Sequence, residues 1–441
     1  MKERLKSLPK YRVIGKVSGV RGPIVEAKLP KVHIGDFCTI DNTIEAEVVG
    51  FKEGKTLLMA YSDTTGISLG SIIESKISGL KIGVSDSLLG LVLDPFGNPM
   101  NAESFVPIDF VPLKAEPINP MKRKRIKEPL DLGVRAINAL LTVGKGQRIG
   151  IFAGAGVGKS TLMGMISRFT EADVNVVALI GERGREVREF IEDNLGEEGL
   201  KKSVIVVATS DHPPLAKIRA AFTACAIAEY FSYKGKNVLL FVDSLTRLAM
   251  AQREIGLAVG EPPTSKGYTP SVFSTMAKLI ERAGNFTDGG SITGIYTVLV
   301  EGDDISLDPV ADAAVGFLDG HIILSRELAN RRVFPSIDII KSISRLTPQL
   351  VNEEVLKYQS IVLDVESTYQ NNSDVINLGL YKKGTSPKID LAIKVYPAIE
   401  NFIKQSFNEK VTFSQSLKEL KSLVEYIKIE GDHYGYRWNN K

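Results

Sequence analysis

Three patterns of apolar and polar positions succeed one another along the chain. Up to about residue 81, short β-branched runs (12–17, 23–29, 37–40, 46–51 and 56–60) recur between Gly22, Gly35, Gly54 and Gly66. Short strands, each followed by a turn residue, predict a small antiparallel barrel. From about 130 to 345, runs 147–152, 174–180, 204–208, 238–242, 292–300 and 320–324 are almost continuously apolar and alternate with helical stretches. A strand apolar on both faces must be covered on both, so this zone reads as an α/β core with a mostly parallel buried sheet. Beyond 348 a helical period takes over, as in 391–407 and 413–427, and predicts a small helical domain. The expected domains are 1–81, 82–347 and 348–441. Within the second, a Pro-rich linker over 94–129 carries the basic run Lys122-Arg123-Lys124-Arg125, which reads as a solvated face.

Composition narrows the classes. Lys+Arg 55 against Asp+Glu 52 leaves +3, too little for a dedicated nucleic-acid coat or an acidic scaffold. Cys38 and Cys225 cannot build a disulfide framework, and four scattered histidines add no zinc spacing. No apolar run reaches the roughly 18 residues of a membrane span, and the basic start, 1–12, has no apolar signal core. A soluble cytoplasmic protein is expected, peripheral to the membrane only through partners.

One segment carries chemistry. Ala153-Gly154-Ala155-Gly156-Val157-Gly158-Lys159-Ser160-Thr161 follows an expected strand and precedes a helix with Leu162, Ile166 and Phe169 on one face. That is a P-loop in its proper context. Its glycines let backbone N–H groups face phosphate oxygens, and the helix adds its positive end. Lys159 can reach the β- and γ-phosphates of ATP and Ser160 can ligate Mg²⁺. The motif's first glycine is Ala153, tolerable where φ stays negative.

Two further strands end in charge. Asp243 closes the run 237–243, where a bare carboxylate is costly and a Mg²⁺ ion and its water shell would offset the cost. The alternative is a cap on the helix that starts at Ser244. Gly181-Glu182-Arg183-Gly184-Arg185-Glu186 follows the run 174–180. Strand carboxyl ends line the ligand crevice of such sheets, so Glu182 could orient or deprotonate water and Arg183 could meet γ-phosphate charge. The alternative is a solvated cluster at a helix start, which fits Glu186 further along.

These residues lie within a wider likeness. Gly133-Val134-Arg135-Ala136-Ile137-Asn138, leading into the loop, resembles the rotary ATPases. Pro335-Ser336-Ile337-Asp338-Ile339-Ile340-Lys341-Ser342-Ile343-Ser344 is similar to the signature of ATP synthase α and β subunits. Gly260-Glu261-Pro262-Pro263, Lys266-Gly267-Tyr268 and Pro270-Ser271-Val272-Phe273, with 391–405 and 413–423, resemble the type III export ATPases, most of all the flagellar form.

The resemblance implies a homohexameric, ATP-hydrolysing motor for protein export. Arg345 would act across the subunit interface, Phe334 would lie against adenine and Tyr396 would line the same pocket. Arg247 would brace the acids, and Ser244 stands where the synthase β subunit has Asn. Implied partners are a stator-like regulator near the N-terminus, a coiled-coil stalk protein, an export gate and chaperone–substrate complexes, with no nucleic acid. Three alternatives stand beside this. One is an injectisome ATPase. Another is a synthase subunit, although the silent ones carry Gln where Glu182 stands. The third is an RNA-translocating hexameric helicase, which needs a basic-aromatic platform that the first 80 residues lack.

Overall fold

Six short strands close the amino-terminal barrel: β1 (Val13–Arg21), β2 (Ile24–Lys28), β3 (Phe37–Ile40), β4 (Ile44–Lys52), β5 (Lys55–Ala60) and β6 (Ile72–Lys76). Their order is β1-β2-β5-β4-β3-β6. The computed structural model describes residues 13–76, 80–114, 118–300 and 305–436. Residues 1–12, and with them the N-terminal end near which the resemblance implies a regulator, lie outside them. Val25, Ile40, Val48, Leu58 and Ile73, with the smaller Ala27, Cys38 and Ala46 between them, fill the barrel. The apolar pattern missed β6 because only Ile73 and Ser75 turn inward, while Ile72 is exposed. Phe37 and Tyr61 are buried at the joint with the core, where the Arg219 guanidinium packs on Tyr61 and on Phe96.

The linker is partly built into the core. β7 (Lys81–Val84) and β9 (Asp109–Pro112) form a ribbon, and β8 (Val92–Leu93) extends the main sheet. The basic run is only half solvated. Arg123 bonds the Glu281 and Ala283 carbonyls and covers Phe286, and Lys122 meets Asp288.

The main sheet contains β10 (Arg148–Ala153), β11 (Val174–Glu182), β12 (Ser203–Thr209), β13 (Asn237–Asp243), β15 (Ser291–Leu299), β16 (Gly320–Leu324) and β17 (Ile337–Ser344). The short β14 (Gly284–Asn285) pairs with β15. The order is β17-β16-β10-β15-β13-β11-β12-β8, parallel from β16 to β8, with β17 antiparallel at the edge. Alternate residues feed two cores: Ile149, Ile151, Val177 and Leu179 go to one face, Val176, Ala178 and Ile180 to the other. Parallel pairing therefore puts Ala153, Glu182 and Asp243 on one edge and Arg148 on the opposite edge.

Three helices complete the chain: Glu353–Asn377, Pro387–Ile403 and Phe413–His433. Asn352, Ser386 and Thr412 cap them, Thr412 in a capping box with Gln415. The first helix gave little pattern because Gln359 and Glu366 share its buried face with only three valines. Gln405 locks this domain to the core. Its side chain accepts from Arg135 N–H at 2.7 Å and donates to the carbonyls of Gly133 and Glu409. Its own N–H bonds the Phe334 carbonyl at 3.0 Å. Gln405→Ala leaves buried groups unpaired, each costing about 1–3 kcal/mol. The expected outcome is a lowered thermal midpoint; an unchanged midpoint would show that Gln405 is no lock.

Candidate active site

The phosphate loop begins at Ala153, which keeps regular strand pairing with Leu299 and Leu324, so alanine is accommodated there. Gly156 and Gly158 take φ of +76° and +92°, conformations that cost a side chain dearly. Lys159 opens the helix Lys159–Phe169, with Ser160 and Thr161 in its first turn. From the β17 side, Ser336 Oγ donates to the Val157 carbonyl at 2.6 Å. The Phe334 ring lies 3.4 Å from where a Cβ on Gly158 would stand. At the loop's start, Arg326 lies 3.2 Å from the equivalent point on Gly154; no sequence signal singled it out.

β13 brings Asp243 to the same edge. Its Oδ1 receives the Lys159 ammonium and the Thr297 hydroxyl, both at 2.5 Å. Glu182 arrives by a different device. The β11–β12 register slips between Ile180 and Glu182, where Gly181 takes φ +71°. This bulge re-aims the strand end, and Glu182 Oε1 comes within 3.5 Å of Lys159 Nζ. A Cβ on Gly181 would stand 3.2 Å from Arg247. Arg247 has its Nε buried without a hydrogen-bond partner among the described residues.

Charge follows from this packing. Burial opposes the charge on Lys159, but Asp243 and Glu182 outweigh it and hold the ammonium above the ordinary lysine value. Burial pushes the Glu182 carboxyl up to about 7; Lys159 pulls it down and Asp243 pushes it up. Glu186, one turn on, hydrogen-bonds Glu182, and that bond draws its own carboxyl down. The sequence treated Glu186 as helix-start charge because spacing alone does not show that the bulge turns Glu182 back towards it.

Three expected site residues stand elsewhere. The Arg183 side chain is 68% exposed and pairs with Glu186 at 3.5 Å. Tyr396 is not brought to the loop: its ring stacks on Tyr369 and its hydroxyl receives Arg331. That face of its helix meets Arg331, and Glu400 one turn on pairs with the same arginine. Arg345 lies at the opposite edge, its N–H on the Asp319 carbonyl and its guanidinium on the carbonyls of Leu318 and Val315. Asp319 in turn bonds Arg148, the first residue of β10. Five strand steps of about 3.3 Å, roughly 16 Å, therefore separate Arg345 from its own loop along β10.

A lysine at a helix start, facing two acids on neighbouring strand ends, is how P-loop nucleotide hydrolases prepare to hold a triphosphate. Residues 133–344 match the nucleotide-binding domain of the ATP synthase alpha/beta family and 13–76 its beta-barrel domain. Residues 351–422 match the T3SS EscN ATPase C-terminal domain. The flagellum-specific ATP synthase of Bacillus subtilis is 52% identical over 422 residues, 94% of this chain and 96% of that one. The assembled ATPase EscN of the enteropathogenic E. coli type III secretion system superposes with a TM-score of 0.88 at 46% identity, over 93% of this chain and all of that one. The same ATPase in complex with its central stalk EscO gives 0.85 at 45%, with the same coverage. The chain belongs to the type III export ATPases of the ATP synthase α/β family.

The bulge offers a direct check. Gly181→Ala strains the backbone by about 1 kcal/mol or more and presses on Arg247. Steady-state ATPase activity is expected to fall at least tenfold while the fold, read by circular dichroism, persists. Full activity would show that the bulge does not position Glu182.

Proposed function

We propose that this chain is the ATP-hydrolysing motor of a type III protein export apparatus, in its flagellar form. The observation that carries this is the Lys159 ammonium between Asp243 and Glu182 at the mouth of the phosphate loop. An entering triphosphate competes for that ammonium, and the loop N–H groups and helix end bind its β- and γ-oxygens. Lys159 then leaves Glu182 free to orient the attacking water and accept its proton. Arg247, whose buried Nε has no hydrogen-bond partner among the described residues and whose charge favours the ionised Glu182, steadies that acid.

The residues fit a Mg²⁺ ion. The Ser160 hydroxyl at the loop and the Asp243 carboxylate at the end of β13 are hard oxygen donors. Among the described residues no cluster of three or more His, Cys, Asp or Glu could hold a metal alone. Mg²⁺ suits such a sparse set, since it keeps several waters and shares its sphere with substrate phosphates. When bound, it neutralises charge on the β- and γ-phosphates.

Arg345 supports assembly, because it cannot serve its own loop across the sheet. A head-to-tail homohexamer would bring it to the neighbouring site, where a guanidinium stabilises charge on the transferring phosphoryl. The relative solved with a central stalk suggests a comparable partner here. Exposed Leu378 and Leu380, beside Lys382 and Lys383 at the tip of the helical domain, suit such a contact. Among the described residues no helix is long and apolar enough to cross a membrane, so membrane association would come through partners. The regulator, export gate and chaperone–substrate complexes rest on the family likeness.

Two outcomes are expected. A carboxyl at about 7 is protonated below that pH and cannot take a proton, so kcat/KM should rise with pH through about 7 and then level off. Glu182→Gln should cost 10²-fold or more in kcat and remove that rise while nucleotide binding persists; surviving turnover would sink the role of Glu182. Arg345→Ala should assemble and bind nucleotide yet lose about 10³-fold in phosphate release, and wild-type specific activity should rise with protein concentration. A dilute monomer as active as the concentrated protein would contradict the interface role.

A further inference from the structure

We propose that a basic cleft on the Arg345 edge of the main sheet receives the acidic helical run 186–198 of a second copy of this chain. Each nucleotide site would then be closed by a charge-matched head-to-tail contact. This rests on the reading that Arg345 serves a neighbouring copy.

The cleft measures about 870 Å³ and is lined by Lys124, Arg125 and Lys127 from the linker, with Arg148 and Asp319 from the sheet edge. Leu346 and Gln349, just after Arg345, complete its wall, so its occupant touches the segment that carries the arginine. Arg148 is already engaged by Asp319 and Glu281. Lys124, Arg125 and Lys127 are exposed and take no side-chain hydrogen bond or ion pair among the described residues. Like charges on a concave, low-dielectric wall focus their field outward and favour an anionic occupant.

A matching surface lies across the sheet. Directly after Glu182, the helix Gly184–Glu189, a π-turn Phe190–Leu195 and the helix Gly196–Lys201 form a continuous acidic run. Glu186, Glu192 and Glu198 have local partners in Arg183, Arg188 and Lys201. Glu189, Asp193 and Glu197, four residues apart, are exposed and pair with no side chain among the described residues. Three unmatched acids thus stand against three unmatched cations. Opposite edges of one sheet cannot meet within a chain, but copies arranged head to tail bring them together in a contact that can close into a ring. A nucleic acid suits the cleft less well. Asp319 lies in the basic wall, Glu281 pairs with its Arg123 and Arg148, and the nearby Phe286 ring is buried under Arg123 instead of offered to a base.

The test is a charge swap in the full-length protein, reading the concentration at which half of the maximal ATPase activity appears. Arg125→Glu with Lys127→Glu should raise it at least tenfold, and so should Glu189→Lys with Asp193→Lys. All four substitutions in one chain should return it to within about threefold of wild type. If the basic pair prevents folding, the acidic pair on the opposite edge still carries the test. The proposal is overturned if neither pair shifts assembly, or if the combined chain fails to recover with an unchanged melting profile. It is also overturned if the basic pair abolishes binding of single-stranded RNA or anionic vesicles while assembly is untouched. A failure confined to the swaps, with Arg345→Ala still assembling but inactive, removes the cleft contact alone; wild type fully active as a dilute monomer removes the underlying reading.

Discussion

A single ammonium group governs this molecule. Lys159 sits largely buried at the start of a helix, where the positive helix end already disfavours it, and only Asp243 and Glu182 make its charge tolerable there. The acids in turn are tolerable at the ends of buried strands because the lysine stands between them. The parallel order β10-β15-β13-β11 puts all three on one edge, with Thr297 of β15 holding the shared Asp243. On the mechanism proposed above, a triphosphate competes with both carboxylates for the lysine, and its binding frees Glu182.

The same parallel sheet imposes a second consequence. All strand carboxyl ends face one way, so whatever sits at the amino ends belongs to the opposite surface. Arg345 is anchored there by the Asp319 carbonyl, far from the loop in its own chain. The asymmetry suits a head-to-tail assembly, and the helical domain, locked on by Gln405, holds Phe334 against the loop from the side.

Much of this was legible in the sequence, for identifiable reasons. Continuous β-branched runs reveal buried parallel strands, and the glycine-lysine-serine spacing reveals the loop, because both follow from local geometry. Asp243 and Glu182 could be placed because strand ends line the crevice. What escaped depends on contacts distant along the chain. β6 and the helix Glu353–Asn377 bury too few apolar side chains to show a period. The bulge at Gly181 looks like any glycine until its pairing with β12 is seen, and it decides that Glu182 meets Glu186. Tyr396 shares a helix with pocket-facing expectations, yet Tyr369 and Arg331 claim it. The basic linker run divides between buried partners and open cleft, a distinction composition cannot make.

The central claim is that one chain supplies the lysine and acids while its neighbour supplies the arginine. Mixing two inactive proteins, one Glu182→Gln and the other Arg345→Ala, addresses it most directly. Random co-assembly places an intact Glu182 opposite an intact Arg345 at about one interface in four, since each contact joins two different surfaces. Measured phosphate release should therefore reappear on mixing and grow with time of subunit exchange. If the mixture stays as inactive as its components while forming mixed assemblies, the site is not shared between chains.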